Sequence, residues 1–219
     1  MNQEIIKRIL TSIILLFIIL FSLFYSSLSL KIILIFFSIF CFYEFYNLLR
    51  KIYKINFMFI FINTILAVYL LYFQYIIIKL KNNSEESFIL VLLFSCIFSD
   101  IGGYVVGKTL GGPKLINISP NKTISGALGS IIFTIIGTYF LIKFFGLLEV
   151  KNFYLFIWLF FMSLYCQAGD LFVSFLKRKA NVKDTGNLLP GHGGLLDRVD
   201  GIILAVPLGI LTYFLLFVD

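Results

Sequence analysis

Asp170, Ser174 and Lys177 are spaced i, i+4 and i+7, so on a helix a carboxylate, a hydroxyl and an ammonium share one face. Further along, Asp197 and Asp200 are three apart and also neighbours on a helix, and a helix N-terminus there would favour their negative charge. Carboxylates at the ends of apolar spans are costly unless paired or bound to metal. The three therefore suggest a divalent cation, and an all-oxygen set suits Mg²⁺, with a second metal ion or a monovalent cation as a further expectation. Between them runs Leu189-Pro190-Gly191-His192-Gly193-Gly194, too glycine-rich for a helix and rich in backbone N–H groups of the kind that cradle phosphate. A second polar, glycine-rich stretch, 100–129, carries Asp100, Lys108, Lys114, Ser119, Lys122 and Thr123.

The elements that must hold these groups are membrane helices. The 219 residues are 60% apolar and 13% charged, with mean hydropathy +1.02, which lies outside soluble composition. Seven stretches approach the length that a hydrocarbon core requires: 9–30, 32–49, 55–78, 88–106, 124–145, 153–176 and 202–218. They lack the strict alternation of a transmembrane barrel, so an all-α polytopic membrane protein is expected. With the N-terminus cytoplasmic, 13 of the 18 Lys and Arg residues fall on the inside, and only Lys31, Lys79, Lys81, Lys143 and Lys151 lie outside. The net charge of +7 is thus a topology signal, and no nucleic-acid partner is needed to explain it.

The chain is expected to form a single membrane-embedded domain, 1–219, with 1–95 as N-terminal spans and 96–219 as the catalytic part. Lys7 and Arg8 before an apolar run resemble a secretory signal, but the run is long, so the first helix is expected to be retained. Cys41, Cys96 and Cys166 sit alone in apolar runs and are read as small core residues.

Each polar feature alone has a plain structural reading. Lys177, Arg178 and Lys179 could anchor a helix end, Asp197 could be an N-cap, and Asp100 could cap a broken span. Gly191, Gly193 and Gly194 could form a tight turn, and His192 could be a polar loop residue. Two such dense loops on one membrane side are harder to explain structurally.

The run Ser174-Phe-Leu-Lys177-Arg178, Lys183-Asp184-Thr-Gly186 and Leu189-Pro190-Gly191-His192-Gly193-Gly194-Leu-Leu-Asp197-Arg198-Val-Asp200 resembles the signature of the phosphatidate cytidylyltransferases, or CDP-diacylglycerol synthases. Gly169-Asp170-Leu171, Asp100-Ile-Gly-Gly103-Tyr104 and Ser119-Pro120-Asn121-Lys122-Thr123 resemble upstream motifs of that family. The resemblance covers about the last 120 residues, and the first 95 are similar only as apolar spans. Ser125-Gly126 stands where the family usually has Glu-Gly, and the chain is short for the family, as if lacking one or two N-terminal spans.

The resemblance implies that CTP and phosphatidic acid give CDP-diacylglycerol and pyrophosphate in phospholipid biosynthesis. It also implies Mg²⁺, a homodimer, membrane lipids as surroundings, and a location in the bacterial plasma (inner) membrane. Asp170, Asp197 and Asp200 are the expected metal ligands. Lys177, Arg178, Lys183 and Arg198 are expected on the phosphates, with Asp184 and His192 in the catalytic group. Ser119, Lys122, Thr123, Ser174, Gly191, Gly193 and Gly194 are expected to bind substrate. A CTP-dependent polyprenol or phytol kinase is the nearest alternative, and a membrane transporter a more distant one; the nearly bare centres of the spans argue against the latter.

Both polar loops should face the compartment that holds CTP. Cysteine labels near Gly112 and Lys179 should therefore be shielded from an impermeant reagent added outside, while one near Asn83 should react. Labelling of all three from one side would overturn the seven-span topology.

Overall fold

The computed structural model describes residues 3–116, 119–148, 151–186, 188 and 193–217, without the side chains of 3–13, 120 and 121. Seven helices occupy the described residues: α1 (Gln3–Tyr25), α2 (Ser27–Ile52), α3 (Phe57–Asn82), α4 (Glu86–Leu110), α5 (Ile124–Phe145), α6 (Asn152–Lys179) and α7 (Leu196–Phe217). Helices α2 to α7 have 22 to 28 residues and are long and apolar enough to cross a membrane. At 1.5 Å per residue they reach about 33 to 42 Å. The protein is an all-α polytopic membrane protein. Its only described strands, β1 (Lys114–Ile116) and β2 (Ser119–Thr123), form a small antiparallel hairpin in which Lys114 faces Thr123.

Local chemistry fixes the helix ends. Ser26 is extended (φ −160°, ψ 156°) and its hydroxyl accepts the Ser29 N–H at 3.0 Å, so it caps α2. The span expected over 9–30 is therefore cut at Ser26, whose side chain supplies the cap for a new helix. Asn56 caps α3 and Thr123 caps α5 in the same way, each at 3.0 Å. Gly146, at φ 61°, closes α5 in the left-handed conformation.

The chain packs as two compact units. Unit 1 comprises Met1–Glu86 and Leu176–Val199, and unit 2 comprises Ser87–Phe175 and Asp200–Asp219. In unit 1, Phe37 stacks on Phe73 and Tyr46 packs edge-on against Phe59, joining α2 to α3. In unit 2, the fully buried Trp158 packs against both Phe88 and Tyr213, which also touch each other, and its indole N–H donates to the Gly209 carbonyl at 2.7 Å.

The glycines expected in a long loop over 100–129 lie mostly on helices. Helix α4 continues through Gly102, Gly103 and Gly107 to Leu110, and α5 already starts at Ile124. A Cβ on Gly126 would stand 2.9 Å from the Gly103 carbonyl, and one on Gly129 2.7 Å from the Gly102 carbonyl. These glycines let two backbones touch, the way small residues pack helices in a bilayer. The second expected loop, 169–201, also shrinks: α6 runs to Lys179 and α7 begins at Leu196.

Gly129→Val should lower the unfolding midpoint in detergent, because the overpacked α4–α5 contact costs about 1–3 kcal/mol. Leu128→Ala, one residue away on an exposed face, should change it little.

Candidate active site

Helix α6 ends in a Schellman motif that starts the signature segment. The Val182 N–H donates to the Lys177 carbonyl at 3.0 Å and the Asn181 N–H to the Arg178 carbonyl at 3.1 Å, with Asn181 at φ 54°. The chain leaves the helix immediately after Lys177, Arg178 and Lys179. Lys179 then meets Tyr53 at the end of α2, 3.2 Å from its hydroxyl and 5.1 Å from its ring centre.

Unit 1 gathers the segment around two carboxylates. Asp197 Oδ1 accepts the Lys177 ammonium at 2.6 Å, with both side chains largely buried. Its Oδ2 accepts the Thr185 N–H at 2.8 Å, the Thr185 hydroxyl at 2.9 Å and the Gly194 N–H at 3.1 Å. Glu44 of α2, 1% exposed, is the second acid. Its Oε1 accepts the Leu195 N–H at 2.9 Å and its Oε2 the Leu196 N–H at 2.8 Å, while the single proton of the Thr185 hydroxyl is shared between Glu44 Oε2, at 2.8 Å, and Asp197 Oδ2. The first N–H groups of a helix have no partner within it, and here a side chain from another helix supplies one.

Of the expected site residues, unit 1 thus brings together Lys177, Asp197, Gly193 and Gly194, with Gly193 lying against Asp184 and Asp197. Arg178, Lys183, Asp184 and Arg198 are exposed. Gly191 and His192 lie outside the described residues.

Unit 2 holds a second grouping. Lys122 of β2 forms an ion pair with Asp170 of α6, and the Ser174 hydroxyl is 3.4 Å from the same carboxylate. Gly169 lets the α6 backbone rest on that of Asp200 and Gly201, so the two acid-bearing stretches of α6 and α7 touch. The Thr123 hydroxyl is used in capping α5, and Ser125 donates to the Gly111 carbonyl. In this chain Ser125 therefore ties the base of the hairpin loop, where the resemblance would place a carboxylate. Ser119 is half-buried on β2.

The donor chemistry of the acids fits a divalent cation unequally. Asp170 and Asp200 supply hard oxygen donors of the kind Mg²⁺ takes. On Asp197, Oδ2 accepts the Thr185 and Gly194 N–H groups and Oδ1 holds the Lys177 ammonium, so an ion would bind Oδ1 only by displacing that ammonium. Among the described residues no three His, Cys, Asp or Glu groups form a ready-made cluster.

Sequence reasoning passed over Glu44 and Thr185. The signal for Glu44 was present: it is the one carboxylate within the apolar stretch 32–49, and ionisable groups in such stretches are functional candidates by default.

Residues 69–217, 149 of the 219, match the model of the cytidylyltransferase family. The chain belongs to that family. A phosphatidate cytidylyltransferase of Rickettsia bellii (strain RML369-C) is 43% identical over 141 residues, covering 60% of this chain and 60% of that relative. The proteins of the same name from Bacillus subtilis (strain 168) and Helicobacter pylori (strain J99 / ATCC 700824) are 40% and 41% identical, covering 50% and 47% of those relatives. The chain spans between about half and three fifths of the length of these relatives. Six of its described helices are long and apolar enough to cross a membrane, so it is an integral membrane protein, and the relatives it matches are bacterial.

Lys177 and Asp197 should prove coupled in stability. Lys177→Met alone leaves a buried carboxylate unpaired and should cost about 3–5 kcal/mol. Adding Asp197→Asn should restore part of it, with a coupling of about 0.5–3 kcal/mol in detergent unfolding. Additive losses would mean that the ion pair does not hold the segment.

Proposed function

We propose that the protein is a phosphatidate cytidylyltransferase, which joins CTP and phosphatidic acid to give CDP-diacylglycerol and pyrophosphate. The observation that carries this reading is the Lys177 to Asp200 run within a chain of the cytidylyltransferase family, folded about Asp197 with Arg178, Lys183 and Arg198 exposed. The likeness to relatives of that name supports the lipid substrate.

Transfer of a nucleotidyl group is mostly positioning and charge neutralisation. Arg178, Lys183 and Arg198 bind the phosphates of CTP, with guanidinium groups suited to paired phosphate oxygens. Lys122, Ser119, Thr123 and Ser174 contribute from the hairpin and from α6, and Gly191, Gly193 and Gly194 lend backbone N–H groups to the triphosphate. Asp170, Asp197 and Asp200 are the acids for Mg²⁺, which when bound supplies charge neutralisation at the phosphates. The phosphatidate oxygen is already ionised at neutral pH, so it attacks the α-phosphorus without a general base, and His192 donates a hydrogen bond. The P–O bond to the β-phosphate breaks, and pyrophosphate leaves with its electron pair. The enzyme acts as a homodimer, as the resemblance to the family implies.

The choice between α- and γ-phosphorus tests the reading. Purified protein in detergent with phosphatidate and Mg²⁺ should transfer label from α-labelled CTP to the lipid and none from γ-labelled CTP. Lipid labelled from the γ position, or transfer to a polyprenol but not to phosphatidate, would sink the assignment in favour of a kinase.

A further inference from the structure

The geometry points to Glu44 as a positioning residue for the phosphate-binding segment, acting through Thr185 and the first turn of α7; this rests on the function proposed above. Glu44 belongs to α2 and lies outside residues 69–217 that match the family. Its carboxylate nevertheless contacts the signature segment at two separate places, Thr185 and Leu195–Leu196.

Three observations support the assignment. First, Glu44 is completely buried, and burying a carboxylate is costly unless its oxygens are hydrogen-bonded. All three donors that meet it come from the segment. Second, the segment is shaped to admit it. A Cβ on Gly186 would stand 2.7 Å from Oε1, and one on Gly194 would collide with Oε2 and with the Thr185 hydroxyl. Two of the signature glycines thus make room for this carboxylate. Third, the Thr185 hydroxyl lies 2.8 Å from Glu44 Oε2 and 2.9 Å from Asp197 Oδ2. Glu44 therefore reaches Asp197 through one side chain. Lys183 and Asp184 precede the clamped Thr185, and Arg198 follows the clamped Leu196, so the carboxylate fixes the spacing of the groups on either side.

The test combines hydrogen–deuterium exchange with kinetics on the full-length protein in detergent. Glu44→Gln keeps the volume but offers one acceptor oxygen in place of two. Exchange at the Leu195 and Leu196 amides should rise roughly 10- to 100-fold, the range for losing a hydrogen bond to a charged group. The KM for CTP should rise about tenfold while the KM for phosphatidate stays unchanged, since the clamped groups serve the nucleotide. Thr185→Val should raise the KM for CTP, and Thr185→Ser, which keeps the hydroxyl, should restore it; this pair carries the test if Glu44→Gln fails to fold. Folded Glu44→Gln with unchanged exchange overturns the contact. Raised exchange with both KM values and kcat unchanged overturns the positioning role and leaves a structural latch. Wild-type protein that transfers no label from CTP instead overturns the proposed reaction, and the exchange measurement still decides whether Glu44 holds the segment.

Discussion

Chain that leaves a helix exposes amide hydrogens without a partner, and the signature segment of unit 1 can be compact only because two carboxylates take them up. Asp197 accepts from Thr185 and Gly194, and Glu44 from Leu195 and Leu196. Both acids need donors as much as the amides need acceptors, so neither can be removed without stranding the other. Beside the buried Leu176, Ala180, Leu196 and Val199, the segment carries this polar network. The network's shape is set by hydrogen-bond supply, which is directional, where the helices around it are set by burial, which is not.

Glycine has two different uses in this chain. In unit 2, Gly102, Gly103, Gly126 and Gly129 allow α4 and α5 to touch along their backbones, and each sits within a regular helix. In unit 1, Gly186 and Gly194 make room for a carboxylate. Gly193, at φ 83°, takes a left-handed conformation that a residue with a side chain seldom adopts. The glycine count of a stretch does not distinguish these uses. Helix packing inside a bilayer rewards small residues, so a glycine-rich stretch that would be a loop in water can be a helix contact here.

That difference explains what could be read in the sequence. The apolar spans at 32–49, 55–78 and 124–145 appear as α2, α3 and α5 with small changes at their ends, because length and hydropathy suffice for them. Helices α4, α6 and α7 extend past their apolar parts to Leu110, to Lys179 and back to Leu196, since helical hydrogen bonds continue where hydrocarbon stops. The break at Ser26 is hard to see because Ser22, Ser26, Ser27 and Ser29 are only mildly polar and are interleaved with Leu and Phe, so a window average stays apolar. Lys177 and Asp197 stood out as charges, yet their pairing depends on the Schellman turn at Asn181 that brings the chain back. Glu44 and Thr185 are 141 residues apart, and no periodicity links them. A lone acid in an apolar span indicates that a partner exists, without indicating which one.

The arrangement also sorts the charges of the segment by role. Neighbouring residues on a helix point about 100° apart, and it is Lys177 that meets Asp197. Lys177 is largely buried, while Arg178 stays exposed with Lys183 and Arg198. An ion pair seen from outside is a dipole, and its field falls off faster than that of a single charge. Asp197 is offset by Lys177, and Glu44 is covered by the Leu195 and Leu196 N–H groups. Asp184 is the one exposed acid among those three cations in the described part of the segment. Under the function proposed above, a segment that keeps Asp197 and Glu44 inward and turns guanidinium and ammonium groups outward would meet the nucleoside triphosphate with those cations.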